Sequence, residues 1–339
     1  MDIAKPSSVP APEPDGGEME GLVWGYRFSE SGAAELLHGP ALREALEKQD
    51  VWLWLNFDLG EAGVEAAIAS LPHLPPGAVA MLLSKDERQH ISSFGPMIGG
   101  VIADYESGQS PDVRRIVRWN FVMAPHLFIS ARRQPGHTLR QLNQDLQTGR
   151  LFPDVPRLFD ALIHEFTSAT SYILNDLTNS LDEMEEHLLD QQELGFESLG
   201  LVRRRLVRLH RQAVPLRAVL VHMLNDPPNW FDRRAIEDCQ RVADRMDSLA
   251  DDLESLQERA HALQDELKAR EAEKTNKRLT VLSVVSALLL PPTFITGLFG
   301  MNVPGLPFQT GPHGFWFACG LMAASVAGML VVLRRVRMI

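Results

Sequence analysis

The feature that most constrains the fold is an uncharged stretch of 24 residues, from Leu279 to Asn302. A helix of about 20 apolar residues crosses the hydrocarbon core of a bilayer, so this stretch is long enough to span a membrane. One helical face differs from the others, because it carries mostly hydroxyl groups and glycines at steps of three and four residues. That face consists of Leu279, Ser283, Ser286, Leu290, Thr293, Gly297 and Gly300. The polar face of such a span either lines a path or packs against another helix.

Two interpretations of this face remain open. Small residues and hydroxyls let membrane helices approach closely and hydrogen-bond across the contact, which favours helix packing. In the alternative, the same groups border a water-filled path. Pro291 and Pro292 favour the path. They remove helix hydrogen bonds in mid-membrane, and hydroxyls, neighbouring helices or water must then satisfy the freed carbonyls.

The end of this stretch resembles the first transmembrane helix of the CorA family of divalent-metal transporters. The family signature is Gly-Met-Asn at the helix end, preceded by Leu-Pro-x-Thr-Phe-Ile-x-Gly. Here Gly300, Met301 and Asn302 match the tripeptide. The upstream matches are Leu290, Pro291, Thr293, Phe294, Ile295 and Gly297. Their position, at the end of the first of two closely spaced C-terminal spans, makes the resemblance specific.

A second span is predicted over residues 315–334, with three aromatic residues at its start as an interfacial anchor. Basic residues flank the pair of spans on their outer sides: Lys274, Lys277, Arg278, Arg334, Arg335 and Arg337. The loop at 303–314 contains no basic residue. The positive-inside rule therefore predicts that both termini, including a tail at 335–339, are cytoplasmic and that the loop is external. We see no N-terminal signal peptide, and we expect a multi-pass protein of a bacterial-type inner membrane.

The N-terminal part divides by pattern into two regions. Residues 1–20 are rich in Pro, Gly, Ser and Glu, which predicts disorder. Residues 21–150 alternate short apolar strands with helices, which predicts an α/β cytoplasmic domain. The predicted strands are 22–28, 51–57, 97–106, 113–124 and 126–133, and the predicted helices are 32–49, 63–71, 78–88 and 137–147. The sequence contains no phosphate-binding glycine loop, nucleophile elbow or HExxH motif. We therefore predict that the protein is not an enzyme, and we expect no nucleic-acid partner.

The segment at 99–142 adds to the resemblance. It is similar to the cytoplasmic domain of the zinc transport branch of the family, the ZntB type. In that branch a strand, a loop with Asp and Pro, a strand with Arg-x-Trp, and an Ile-Ser-x-Arg-Arg segment follow in that order. The resemblance thus covers most of the chain.

Residues 151–230 predict a helical hairpin whose arms carry opposite charge. From Leu158 to Val202 there are ten acids and no Lys or Arg. The next stretch carries arginines at positions 203, 204, 205, 208, 211 and 217. The simplest interpretation is two arms that attract each other, and the alternative is a cation-attracting surface beside the path. Glu183 and His187 lie one turn apart and form an incomplete metal candidate, because a site needs further ligands.

Residues 231–278 predict a stalk helix. Apolar residues repeat at alternating steps of four and three, as in a coiled coil: Val242, Met246, Leu249, Leu253, Leu256, Ala260, Leu263 and Leu267. No Pro or Gly lies between Pro228 and Pro291, so the helix can continue into the first span. The seam requires a partner, which can be the hairpin of the same chain, a neighbouring subunit or both.

Two spans cannot enclose a hydrated path, so several copies must assemble around it. The resemblance implies a funnel-shaped homopentamer in which the first span (279–302) lines the pore and the second lies outside it. In this arrangement Asn302 meets the incoming hydrated cation, and Gly300 and Met301 shape that entrance. The other implied pore positions are Asn276 at the inner membrane edge, constrictions at Leu279, Leu282 and Leu290, a polar ring at Thr293, and Ser283, Ser286 and Gly297 along the path.

One departure from the family bears on the transported cation. The loop at 303–314 has no carboxylate, whereas magnesium-type members generally carry acids there. This favours Zn²⁺ uptake, which the zinc branch is thought to couple to protons. His313 is the only imidazole in the loop and is a second incomplete metal candidate. A Mg²⁺, Co²⁺ or Ni²⁺ channel is the alternative within the family, and a non-conducting coiled-coil sensor or scaffold is the alternative outside it. We expect no cofactor besides the transported ion.

Overall fold

The computed structural model describes residues 19–48, 51–108, 112–190, 196–301 and 313–336. It divides into two compact units, one ending at His261 and the other beginning at Ala262. The strands are β1 (Leu22–Phe28), β2 (Ala34–Leu36), β3 (Trp52–Asp58), β4 (His90–Phe94), β5 (Met97–Tyr105), β6 (Ile116–Ala124) and β7 (Leu127–Arg132). The helices are α1 (Gly39–Lys48), α2 (Val64–Ala69), α3 (Pro76–Leu82), α4 (His137–Gln147), α5 (Val155–Leu189), α6 (Phe196–Asn225), α7 (Arg233–Gly300) and α8 (Gly314–Arg335). Most of the segment predicted to be disordered, residues 1–18, lies outside the described residues.

The first unit contains one seven-stranded sheet in the order β2-β1-β3-β7-β6-β5-β4. Its central pair, β3 and β7, is parallel, and the other neighbouring strands are antiparallel. Six of the seven residues of β3 are buried, as expected for a strand covered on both faces. Together with the helices between the strands, this confirms the predicted α/β fold.

Three elements of the first unit differ from the sequence prediction: two helices and the strand β4. Residues 34–36 form β2 instead of part of a helix at 32–49, and Gly32 before the strand has φ 85°. The predicted helix at 78–88 ends at Leu82. Beyond it, the Ser84 hydroxyl accepts from the Asp86 amide at 3.0 Å and the Asp86 carboxylate accepts from the Arg88 amide at 2.9 Å. These side-chain bonds replace helical ones, and the chain then forms β4, which was not predicted.

Aromatic stacking connects the sheet to α5. The rings of Tyr105 and Phe166 stack with centroids 5.3 Å apart, and those of Phe121 and Phe159 lie 5.2 Å apart. The Tyr105 hydroxyl also hydrogen-bonds the Thr170 hydroxyl at 2.7 Å. Residues 105 and 121 belong to β5 and β6, so α5 is anchored on these two strands.

Helices α5, α6 and α7 pack through heptad-spaced apolar residues. All eight residues of the predicted α7 seam are buried within the single chain, and the Thr167 hydroxyl of α5 contacts the Met246 sulfur of α7 at 3.4 Å. Within the first unit, the chain's own hairpin is therefore a partner of the seam. Helix α7 runs without a break from Arg233 to Gly300, which confirms the prediction that the stalk continues into the first span.

The ion pairs of the hairpin differ from the simplest prediction. Arg205 of α6 does pair with Asp176 of α5 at 2.9 Å. However, Asp182 and Glu185 of α5 pair with Arg259 of α7, at 2.6 and 2.8 Å. These two bridges raise the pKa of Arg259 further above its ordinary value. The acidic residues of α5 thus form ion pairs with α7 as well as with α6. The prediction from charge runs alone included only pairs between the two arms of the hairpin.

We expect Arg259→Met to lower the free energy of unfolding by only about 1 kcal/mol or less, because the ion pairs are partly exposed and screened by salt. Thermal unfolding of the full chain in detergent, at low and high salt, measures this effect. Arg43→Met, at an exposed position of α1, is the matched control and should leave stability unchanged. A loss for Arg259→Met that is equal at both salt concentrations would contradict an electrostatic origin.

Candidate functional site

The predicted path residues lie along one side of the α7 span. Ten of the eleven are described, and all ten are exposed in the single chain: Asn276, Leu279, Leu282, Ser283, Ser286, Leu290, Thr293, Gly297, Gly300 and Met301. An ideal Cβ built on Gly297 or Gly300 meets no atom within 4 Å. We call this side of α7, from residue 279 to 300, the hydroxyl stripe.

The opposite side of α7 is the packed one. Val284, Leu288 and Pro291 are partly buried, and Ile295 is buried. Helix α8 has a matching side, on which Cys319, Met322, Val326 and Met329 are partly buried and Leu333 is buried, at steps of three and four residues. We infer that these two sides shield each other. Within the described chain the hydroxyl stripe is therefore not a packing surface for α8.

An open groove of about 760 Å³ follows the hydroxyl stripe. The described residues that line it are Ser286, Leu289, Leu290, Thr293, Phe294, Gly297 and Leu298 of α7, and Met301 directly after it. A groove beside a lipid-length helix is a surface that several assembled copies can enclose.

The two prolines lie inside the helix and do not end it. Because proline has no N–H, Pro291 and Pro292 cannot donate to the carbonyls of Ala287 and Leu288, their partners in an i to i−4 ladder. The hydroxyl of Thr293 donates to the Leu289 carbonyl at 2.8 Å, and that of Thr296 donates to the Thr293 carbonyl at 2.9 Å. Each hydroxyl oxygen keeps lone pairs that can accept from water.

The remaining predicted site residues are placed as follows. Asn302 and residues 303–312 of the loop lie outside the described residues. His313 is exposed and precedes the first residue of α8. Glu183 and His187 are exposed on α5. Among the described residues, no group of three or more His, Cys, Asp or Glu side chains is arranged to hold a metal.

A buried carboxylate was missed by the sequence reading. Asp104 of β5 is fully buried and accepts hydrogen bonds from the amide and hydroxyl of Thr138, at 3.0 and 2.8 Å, and from the Tyr105 amide at 2.7 Å. A Cβ on Gly136 would lie 2.3 Å from its Oδ2, so only glycine fits there. Burial raises the pKa of Asp104 to about 6. This carboxylate ties the start of α4 to the sheet, and a single Asp in an apolar strand gave no sequence signal for that role.

The architecture defines a class of membrane protein. In the part of the chain that the structure describes, two helices are long and apolar enough to cross a membrane. The apolar stretch of the first is the end of α7, which starts in the first unit. The family model for the CorA-like Mg²⁺ transporter protein matches residues 49–335. The chain therefore belongs to the CorA family and is a divalent-cation transporter. Members of this family are transporters and not enzymes, in agreement with the sequence prediction.

Individual relatives are similar over nearly the whole chain. The zinc transport protein ZntB of Yersinia enterocolitica is 25% identical over 92% of this chain and 94% of its own length. The divalent cation transporter CmaX of Pseudomonas aeruginosa is 26% identical over 95% of this chain and 98% of its own length. The structure of full-length CmaX superimposes with a TM-score of 0.81, at 25% identity, and covers 95% of this chain and 99% of that chain.

Proposed function

We propose that this protein takes up Zn²⁺ through a path that several copies of the hydroxyl stripe enclose. The observation that carries the proposal is the exposure of that stripe in the single chain, while the other side of the same span packs. A membrane-spanning surface of hydroxyls and glycines is poorly suited to lipid, so it calls either for other helices or for water.

The chemistry of the stripe fits a cation that keeps its water. No described residue of α7 from 279 to 301 is ionisable, so the path would offer hydroxyls and, at Asn302, an amide oxygen. Neutral oxygens can hydrogen-bond the first-shell waters of a divalent ion, and such sites bind loosely enough to release it. A ring of carboxylates would bind the ion harder and slow its release.

A homo-oligomer follows from the same reasoning. Two spans per chain cannot surround water, so each copy would contribute one stripe to a common axis. We propose a pentamer with α7 inside and α8 outside, located in the bacterial inner membrane. The basic residues at 274–278 and at 334–337 support cytoplasmic termini.

Zinc is favoured over magnesium by the absence of carboxylates from the loop at 303–314. The similarity to a ZntB protein supports this choice. The similarity to CmaX, described as a divalent cation transporter, favours a second candidate, a channel that also passes Mg²⁺, Co²⁺ or Ni²⁺.

The deciding experiment is flux into liposomes that contain the purified full chain and an internal zinc-sensitive dye. We propose that this uptake is coupled to protons, so we expect zinc entry to increase when the outside is made acidic. The same vesicles with a magnesium dye measure selectivity, and comparable Mg²⁺ entry would favour the second candidate. If no cation entered the vesicles, the result would support the non-conducting scaffold instead of a transporter.

We expect Asn302→Ala to reduce zinc flux about tenfold, because the entrance would lose the amide oxygens that hold the hydrated ion. Asn276→Ala, at the other end of the path, is the comparison variant and should have a smaller effect. Initial rates in the dye assay measure both. Wild-type flux in Asn302→Ala would remove the proposed role of this residue.

A further inference from the structure

Helix α6 carries a basic face that no described residue of the chain neutralises. Arg204, Arg208 and Arg211 are exposed, and none of them forms an ion pair or hydrogen bond with the part of the chain that the structure describes. Their spacing places them on one helical side. This side is opposite the one through which α6 packs, where Leu206, Leu209 and Ala213 are buried.

Helix α7 carries an acidic face of the same kind. Asp244, Asp251 and Glu258 follow each other at intervals of seven residues and are exposed. These carboxylates also lack an ion pair or hydrogen bond to any described residue. A seven-residue interval keeps side chains nearly on one line, and this line is opposite the buried seam that contains Leu249 and Leu253.

The two faces cannot neutralise each other within one chain. Both helices turn their buried sides toward the chain's own bundle, so both charged faces point away from it. Where an acid and a base of α6 and α7 do face each other inside the chain, they pair, as Arg217 of α6 does with Asp247 of α7. The charges of the two faces lie on the outer side of the bundle, where they have no partner among the described residues.

The arginines of α6 and the acids of α7 nevertheless lie at matching levels along the helix axes. A short connection joins α6 to α7, which favours antiparallel neighbours, and the pair of Arg217 with Asp247 fixes their relative level. Counting back along α6 and forward along α7 from this pair, Arg211 is level with position 253 and Arg204 with position 260. These levels lie within one helical turn of Asp251 and Glu258. Rotation about an axis along the helices preserves such levels between copies.

We propose that the arginine face of α6 in one copy binds the acidic face of α7 in the next copy. In this contact Arg211 pairs with Asp251 and Arg204 pairs with Glu258, while Arg208 lies between them. One surface meets a different surface of the neighbour, so the contact repeats from copy to copy and can close a ring. The contact rests on the homo-oligomer of the proposed function, but not on its choice of zinc.

Cross-linking between differently tagged full chains tests the contact directly. One chain carries Arg211→Cys and the other Asp251→Cys, and a short thiol cross-linker is added to the co-purified protein in detergent. We expect a cross-linked heterodimer. The control pair replaces Arg211→Cys by Arg43→Cys, at an exposed position of α1, and it contains the same native cysteines. A heterodimer no more abundant than in this control would overturn the proposal.

Charge reversal tests whether the contact stabilises the assembly. We expect Arg204→Glu with Arg211→Glu, and separately Asp251→Arg with Glu258→Arg, to raise the chain concentration at which the oligomer dissociates at least about tenfold, because like charges then face each other. All four substitutions together should restore the wild-type concentration. Arg43→Glu with Lys48→Glu changes the net charge by the same amount as the double arginine reversal and should have no effect.

Three other outcomes decide against this contact. A fourfold variant as weak as its parents would show that the faces do not meet. If reversal of the acidic face changed zinc flux and left dissociation unchanged, that face would serve ions and not a neighbour. Loss of binding to anionic lipid vesicles on reversal of the basic face, with dissociation unchanged, would assign the arginines to lipid. A wild-type chain that is monomeric would instead overturn the proposed function, which separates the two failures.

Discussion

Replacement of Gly297 by leucine is expected to reduce zinc flux at least about 100-fold, because each copy would add an isobutyl group to the path and a hydrophobic constriction excludes water. Gly297 lies near the C-terminal end of the exposed stripe, and a Cβ there meets no atom within 4 Å. The single chain can therefore accept the side chain without rearrangement. The initial rate of zinc entry into dye-loaded liposomes measures the effect.

Gly320→Leu is the matched control for this variant. Gly320 lies on α8, is exposed, and also has no atom within 4 Å of a built Cβ. The proposed arrangement puts α8 outside the path, so this variant should keep flux within about twofold of wild type. The oligomer mass in detergent must be measured alongside. If Gly297→Leu instead dissociated the oligomer, the stripe would be a packing surface, which is the interpretation that the sequence left open.

The sequence predicted best those elements whose pattern is long and regular. The α7 seam repeats over eight apolar positions, and all eight are buried. The absence of Pro and Gly between Pro228 and Pro291 predicted a helix continuing into the span, and the helix is continuous. In both cases many residues contribute to the same pattern, so the preference of a single residue does not decide the local structure.

The sequence failed where single side chains override a pattern. Residues 78–88 have helical periodicity, but Ser84 and Asp86 bond the backbone and end α3 at Leu82. The pairing of Arg259 with α5 depends on which helices become neighbours, and charge runs along one chain do not contain that information. By contrast, the heptad line of Asp244, Asp251 and Glu258 is readable in the sequence, once acids are counted at the same interval as the apolar seam.

Replacement of the buried Asp104 by alanine is expected to lower the free energy of unfolding by about 3 kcal/mol at neutral pH. The variant leaves the Thr138 amide and hydroxyl and the Tyr105 amide without their acceptor in a site that water does not reach. Denaturant unfolding of the full chain in detergent, followed by tryptophan fluorescence, measures this loss. Five of the six tryptophans precede residue 262, so the signal reports mainly on the unit that contains Asp104.

The pH dependence separates the charge of Asp104 from its hydrogen bonds. Burial raises its pKa from an ordinary 3.8 to about 6, so between these values the folded chain holds a proton that the unfolded chain releases. The stabilisation that comes from this extra proton is therefore complete below about pH 4 and is lost as the pH rises through about 6, a change of about 3 kcal/mol. The hydrogen bonds that the carboxylate accepts from Thr138 and Tyr105 remain above that pH. Asp104→Asn keeps one acceptor oxygen and cannot ionise, so we expect it to be less destabilising than alanine and to lack this slope.

His137 faces the same carboxylate and is unchanged in both variants, so the difference between wild type and Asp104→Asn isolates residue 104. An equal slope in the two proteins would show that Asp104 does not titrate in this range.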